Sequence, residues 1–97
     1  MICTKTLKMI NLVWDAGFKR SYKKRISHDE ILKTKFWDSI KIFVQNPYDA
    51  RLKTHKLTGK LSGLSAFSVS YDCRVTFKFI DDKSILLIDI GTHEEVY

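Results

Sequence analysis

The sequence predicts an α+β fold of order β-α-α-β-β-β, an antiparallel curved sheet with two helices packed on one face. Three observations carry this. Period-2 alternation places Ile10, Leu12 and Trp14 on one face and returns after Ser65; helical spacing runs through Phe18, Tyr22 and Ile26, then from Leu32 to Val44; and Ile85 to Ile90 is nearly all apolar.

Met9 to Trp14 is expected to form a half-buried strand. Asp15 ends it and is a good helix N-cap, with Phe18, Tyr22 and Ile26 as the inner stripe of a helix over 16–26. The outer faces of that helix hold Lys19, Arg20, Lys23, Lys24 and Arg25. Ser27, with Glu30 three residues on, reads as a capping box that opens a second helix. Leu32, Phe36, Ile40, Phe43 and Val44 form its core stripe, His28 sits at its start without a role, and Asn46-Pro47 stops it. Residues 48–64 read as a basic loop punctuated by Gly59 and Gly63, with a short strand near its end.

From Ser65, Phe67, Val69 and Tyr71 share one face, followed by Val75, Phe77 and Phe79 after a break at Asp72-Cys73. The alternate set, Ser68, Ser70, Asp72, Arg74, Thr76 and Lys78, makes a polar row on the face left open by the helices. Asp81-Asp82-Lys83 turns the chain into the last strand, which is apolar enough to be covered on both sides. Beyond it, the tail Gly91 to Tyr97 carries His93 and Tyr97 where a sheet can position them and solvent can reach them.

At 97 residues, 44% of them hydrophobic, the chain is expected to form one domain over 1–97, with Phe36, Trp37, Phe43, Phe67, Phe77 and Phe79 as the bulkiest core candidates. Cys3 and Cys73 lie far apart, and no spacing of metal-ligand type occurs, so neither a disulfide framework nor a metal or other cofactor is expected. No stretch has the length of a membrane span and the start lacks a secretory pattern, which points to a cytoplasmic protein. The net charge of +6 is concentrated: residues 1–60 hold 14 Lys/Arg against 5 Asp/Glu, residues 61–97 hold 3 against 6. Such a basic half favours a polyanionic partner, nucleic acid ahead of an acidic protein segment.

The run His55-Lys56-Leu57-Thr58-Gly59-Lys60-Leu61-Ser62-Gly63, then Phe67-Ser68-Val69, Tyr71-Asp72-Cys73-Arg74-Val75 and Ile88 to Tyr97 resembles the RelE/ParE superfamily of toxins from type II toxin–antitoxin pairs, most of all its YafQ-like branch. The resemblance spans nearly the whole chain. It implies an mRNA interferase: a ribosome-dependent endoribonuclease that cuts messenger RNA in the decoding site, inhibits translation and is held in a heteromeric complex by a cognate antitoxin protein.

Metal-free RNA cleavage needs a base for the 2′-hydroxyl proton, an acid for the leaving 5′-oxygen and a cation for the charge on the phosphate. The resemblance implies His93 as general acid, a role suited to an imidazole whose ordinary pKa is roughly 6.5. His55 is implied as base, with Asp72 as an alternative base or as the group that orients a histidine. Arg74 would meet the scissile phosphate, and Tyr97 would stack on a base or hold the phosphate. Lys56, Lys60 and Lys78, with Lys19, Lys23 and Lys24 of the first helix, are the expected RNA contacts.

The chain departs from the branch at three places: Ser68 stands where a further histidine is found, Cys73 where a tryptophan is, and Asp89 where an arginine precedes the tail histidine. Cys73 is expected to be a small buried thiol and not a nucleophile. Two other functions fit the same residues less fully: a ParE-like, non-enzymatic inhibitor of DNA gyrase, and an RNA-binding domain without catalysis.

Overall fold

The computed structural model describes residues 10–91. Its elements are β1 (Asn11–Trp14), α1 (Ala16–Arg25), α2 (Glu30–Gln45), β2 (His55–Lys56), β3 (Ser65–Ser70), β4 (Cys73–Phe79) and β5 (Ser84–Gly91). They form one sheet in the order β1-β5-β4-β3-β2, with the helices against it. The predicted α+β architecture holds.

Asp15 caps α1 as expected, its carboxylate accepting from the Gly17 amide at 2.9 Å. The cap of α2 is Asp29, which accepts from the Leu32 amide at 3.0 Å, and not Ser27. Ser27 belongs to the preceding turn: its amide still reaches the Tyr22 carbonyl and its hydroxyl donates to Lys23 at 2.7 Å. With those bonds made, the later aspartate takes the free amides of α2, and His28 falls between the helices. Asn46 ends α2 and its side chain then accepts from the Tyr48 amide.

The core is aromatic. Phe43 of α2 stacks on Phe67 of β3, ring centroids 4.4 Å apart, and meets Phe77 of β4 edge-on at 4.9 Å. Trp14, Phe18, Tyr22, Phe36 and Trp37 form a neighbouring group in which the Trp37 indole donates to the Tyr22 hydroxyl at 2.9 Å. Trp37 and Phe79, expected inside, are 41% and 38% exposed. Trp37 covers the rim of its group while its N–H is satisfied, and Phe79 lies near the end of β4 between Phe77 and Tyr48.

The sheet is mostly antiparallel, but β1 runs parallel to β5, from Asn11 opposite Ser84 to Trp14 opposite Leu87. These strands sit at opposite ends of the chain, so no tight turn dictates their relative direction. Where β1 stops, α1 takes over the edge of β5: Gly17 lies close to the Ile88 carbonyl and Ser21 donates to Asp89 at 2.7 Å.

Residues 48–64 hold more structure than a loop. A 3₁₀ turn, Ala50–Leu52, sends Leu52 into the main core, and a second, Gly59–Leu61, follows β2, which lies in the middle of this region and not near its end. Leu57, Leu61, Leu64 and Ala66 make a small separate cluster. The leucines that look isolated in sequence are the anchors of this segment.

Two bulges interrupt the alternation. On β3 the register advances from Ser68 opposite Arg74 to Ser70 opposite Cys73, leaving Val69 as the extra residue. Ser70 thereby shares the side of the buried Cys73 and leaves the polar row, and Tyr71, expected on the core face, sits in the following turn 96% exposed. On β5 the register passes from Leu87 opposite Phe77 to Asp89 opposite Thr76, with Ile88 extra.

Truncating Phe43 to alanine should cost about 3–5 kcal/mol in urea denaturation, because the stacked side chain is fully buried. Ile31→Ala, at a position 73% exposed, should change stability by less than about 0.5 kcal/mol. Burial pushes the Cys73 thiol up to about 11; the nearby charge of Arg74 opposes the rise, Asp72 adds to it and Arg25 opposes it. A thiol raised on folding contributes stability below its unfolded pKa that is lost as pH climbs towards 11. Alkylation mapped by mass spectrometry should therefore leave Cys73 unlabelled in native protein at pH 8 and label it after denaturation.

Candidate functional site

Alternation along β4 sends Cys73, Val75 and Phe77 to the helix-packed core and Arg74 and Thr76 to the opposite face. Arg74 pairs with Ser68 of β3 on one side and with Gly91 of β5 on the other. Its Nη1 donates to the carbonyls of Ser70 at 2.9 Å and Tyr71 at 3.0 Å, with a longer bond of 3.5 Å to Cys73. The guanidinium thus pins the β3–β4 turn with one nitrogen. Among the described residues, its Nε and Nη2 meet no acceptor, so two donors of the fork remain for a ligand.

His55 lies on β2 opposite Ala66, in the face shared by Ala66, Ser68 and Arg74. Two strand spacings and one two-residue step separate it from Arg74, about 12 Å between Cα positions. The His55 Nδ1 donates to the Lys53 carbonyl at 3.0 Å, which assigns the proton to Nδ1 and the lone pair to Nε2 in the neutral ring. That carbonyl is aimed by an unusual backbone: Lys53 has φ 53°, in the left-handed region that non-glycine residues rarely occupy. Thr54, whose hydroxyl donates to the Pro47 carbonyl, ties the same segment back to the end of α2.

Asp72 is exposed in the turn after β3. It lines a cavity of about 320 Å³ together with Arg25, Leu32, Ser70, Cys73 and Gly91, where the ends of both helices meet the ends of three strands. Arg25 is a site neighbour that the sequence does not single out; it is one of five cations on α1, and only the approach of the helix end to Cys73 and Gly91 distinguishes it.

The other candidate RNA contacts fall in three places. Lys56 follows His55 on β2 and lines a shallow pocket with it, and Lys60 is in the 3₁₀ turn after the strand; both lysines are exposed. Lys78 stands four residues along β4 from Arg74, roughly 13 Å away, and the fold does not bring it to the site. Lys19, Lys23 and Lys24 are exposed on α1, across β5 from Arg74. His93 and Tyr97 lie outside the described residues. The last residue described, Gly91, ends β5 directly opposite Arg74.

Comparison with known proteins agrees with the fold. The chain's fold is similar to the YoeB/ParE toxin from Agrobacterium tumefaciens, with TM-score 0.73 and 19% identity over 87% of this chain and 99% of that one. It is similar to YafQ from E. coli strain BL21(DE3), at TM-score 0.66 and 22% identity over 91% and 98%. The toxin of the E. coli DinJ-YafQ complex gives TM-score 0.64 and 23% identity over the same shares. A comparison with curated protein sequences finds no match. The family model described as "Bacterial toxin of type II toxin-antitoxin system, YafQ" matches residues 10–97, which is nearly the full chain, so this protein belongs to the YafQ family of type II toxin–antitoxin toxins.

Proposed function

We propose that this toxin is an endoribonuclease that cuts messenger RNA in the ribosomal decoding site and so inhibits translation, and that a cognate antitoxin holds it inactive in the cytoplasm. One observation carries the reading. His55, Arg74 and Gly91 at the end of β5 lie on one face of the sheet, with Gly91 directly opposite Arg74. Among the described residues, no helix is long and apolar enough to cross a membrane, and the E. coli DinJ-YafQ complex offers a precedent for the antitoxin partner.

In the proposed reaction, His55 Nε2 takes the proton of the 2′-hydroxyl as that oxygen attacks the adjacent phosphorus. Asp72 is the alternative base. The bond from phosphorus to the 5′-oxygen breaks, His93 protonates that oxygen, and the products are a 2′,3′-cyclic phosphate and a free 5′-hydroxyl. The open donors of Arg74 meet the charge gathering on the phosphate, with the guanidinium held beforehand by the turn carbonyls. Tyr97 packs on the RNA near the cut, Lys56 and Lys60 hold the backbone beside His55, and the lysines of α1 supply a second basic surface for ribosomal or messenger RNA. Lys78 is left as a peripheral contact.

Purified toxin, added to ribosomes programmed with messenger RNA, should cut the message, and His55→Ala or His93→Gln should slow cutting by roughly 10²–10⁴-fold. Arg74→Gln should lose about 10²–10³-fold. Uncut message with wild-type toxin, together with inhibition of gyrase supercoiling that survives both histidine changes, would overturn the nuclease in favour of a non-enzymatic inhibitor. Each of Lys19→Gln, Lys23→Gln and Lys24→Gln should reduce the salt dependence of ribosome binding by about one counterion if that lysine meets a phosphate.

A further inference from the structure

β2 pairs with β3 through His55–Ala66 and Lys56–Ser65, so among the described residues the outer edge of β3 from Phe67 to Ser70 has no strand beside it. The bulge at Val69 lies in that stretch. A cleft of about 360 Å³ opens there, floored by Ile42 and Leu52 and rimmed by Lys53, Ser70, Tyr71 and Arg74. Sites for small ligands run from roughly 300 to 1,000 Å³, so the cleft is of a size to take one nucleotide.

The rim has a definite chemistry. Arg51 also borders the cleft, but its guanidinium is clasped by Asp49 through bonds of 3.0 and 2.9 Å. That pairing holds the Asp49 carboxyl down at about 2, so the two charges answer one another at neutral pH. The cations left at the rim are Lys53 and the open donors of Arg74, and Ser68 and Ser70 also line the cleft. No acidic residue lines the cleft among the described residues; Asp72 is in the adjoining turn.

Tyr71 stands at the lip. It is 96% exposed, and its ring has no aromatic partner among the described residues. An aromatic left this open gains nothing for the core, yet its backbone is fixed, because Arg74 holds the Tyr71 carbonyl at 3.0 Å. A ring carried on a pinned turn loses little freedom when a flat ligand stacks on it.

We propose that this cleft is a nucleotide subsite in which one base of single-stranded RNA stacks on Tyr71 while a neighbouring phosphate meets Lys53. Stacking of bases on aromatic rings beside cations is how proteins hold single strands without reading every edge. The choice of RNA as occupant rests on the nuclease reading and on the sharing of Arg74 between cleft and cleavage face. Lys53 then acts twice, its left-handed carbonyl setting the His55 ring and its ammonium holding the strand whose 2′-hydroxyl His55 deprotonates.

The test measures binding of the full chain to a fluorescently labelled, fully 2′-O-methylated RNA octamer, which cannot be cut by 2′-hydroxyl attack. Tyr71→Ala should weaken binding at least about fivefold, and Tyr71→Trp should bind as well as wild type. Lys53→Gln should weaken binding and lower the salt dependence by about one counterion. Circular dichroism should be unchanged, since both side chains are exposed. Binding indifferent to Tyr71→Ala, or lost equally with Tyr71→Trp, overturns the subsite. Ribosome-dependent cutting by wild-type toxin is scored separately: if it persists while Tyr71→Ala binds normally, the subsite alone fails. If wild type never cuts but the octamer still needs Tyr71, the nuclease reading fails and the subsite stands.

Discussion

The stack of Phe43 on Phe67, closed edge-on by Phe77, is the contact on which the arrangement of this toxin depends. It joins α2 to the two central antiparallel strands, and it does so with three rings that are wholly removed from water. Hydrophobic burial has no direction of its own, but on a pleated sheet it commits one face at a time. Once Phe67, Val75 and Phe77 turn toward α2, residues such as Ser68 and Arg74 must turn away. The face that carries Ser68 and Arg74 is what remains after the aromatic face has been filled.

On that face, structure and proposed chemistry share parts. Arg74 closes the β3–β4 turn with Nη1 while its other donors point outward. His55 is held by a carbonyl whose direction comes from a backbone conformation that costs of order 1 kcal/mol in a non-glycine residue. Both groups are therefore oriented before any ligand arrives, by bonds to main-chain carbonyls. Such bonds survive surface substitution well, because every residue type has a carbonyl.

Regular repetition was legible in the sequence, and interruption was not. The stripes of α1 and α2, the stop at Asn46 and the strands β3 to β5 all follow from periodicity and punctuation. The parallel pairing of β1 with β5 is a long-range choice that no local pattern encodes. Trp37 misleads because an aromatic at helical spacing can also cover a rim when its N–H finds a hydroxyl. Tyr71 misleads because strict alternation assumes no extra residue, and Val69 is one. In the site, the residues with distinctive chemistry, His55, Asp72 and Arg74, could be singled out by type and resemblance. Arg25 and Lys53 could not, since one is a lysine-rich helix's arginine and the other matters through its main chain.

The extra residue on β5 has a different reach. Ile85 and Leu87 point to the core, and unbroken alternation would put Asp89 and then Gly91 there as well, a carboxylate among phenylalanines. Because Ile88 is looped out, Ile90 takes the buried place, Asp89 is released to the hydroxyl of Ser21, and Gly91 comes to lie on the side of Arg74. A protein that grew or lost one residue here would keep Arg74 and Gly91 and yet present them to opposite sides of its sheet. The spacing between Leu87 and Ile90 is thus a phase, held by a single extra residue, and it sets the side of the sheet on which Gly91 ends, from a place that no inspection of His55, Asp72 and Arg74 alone would include.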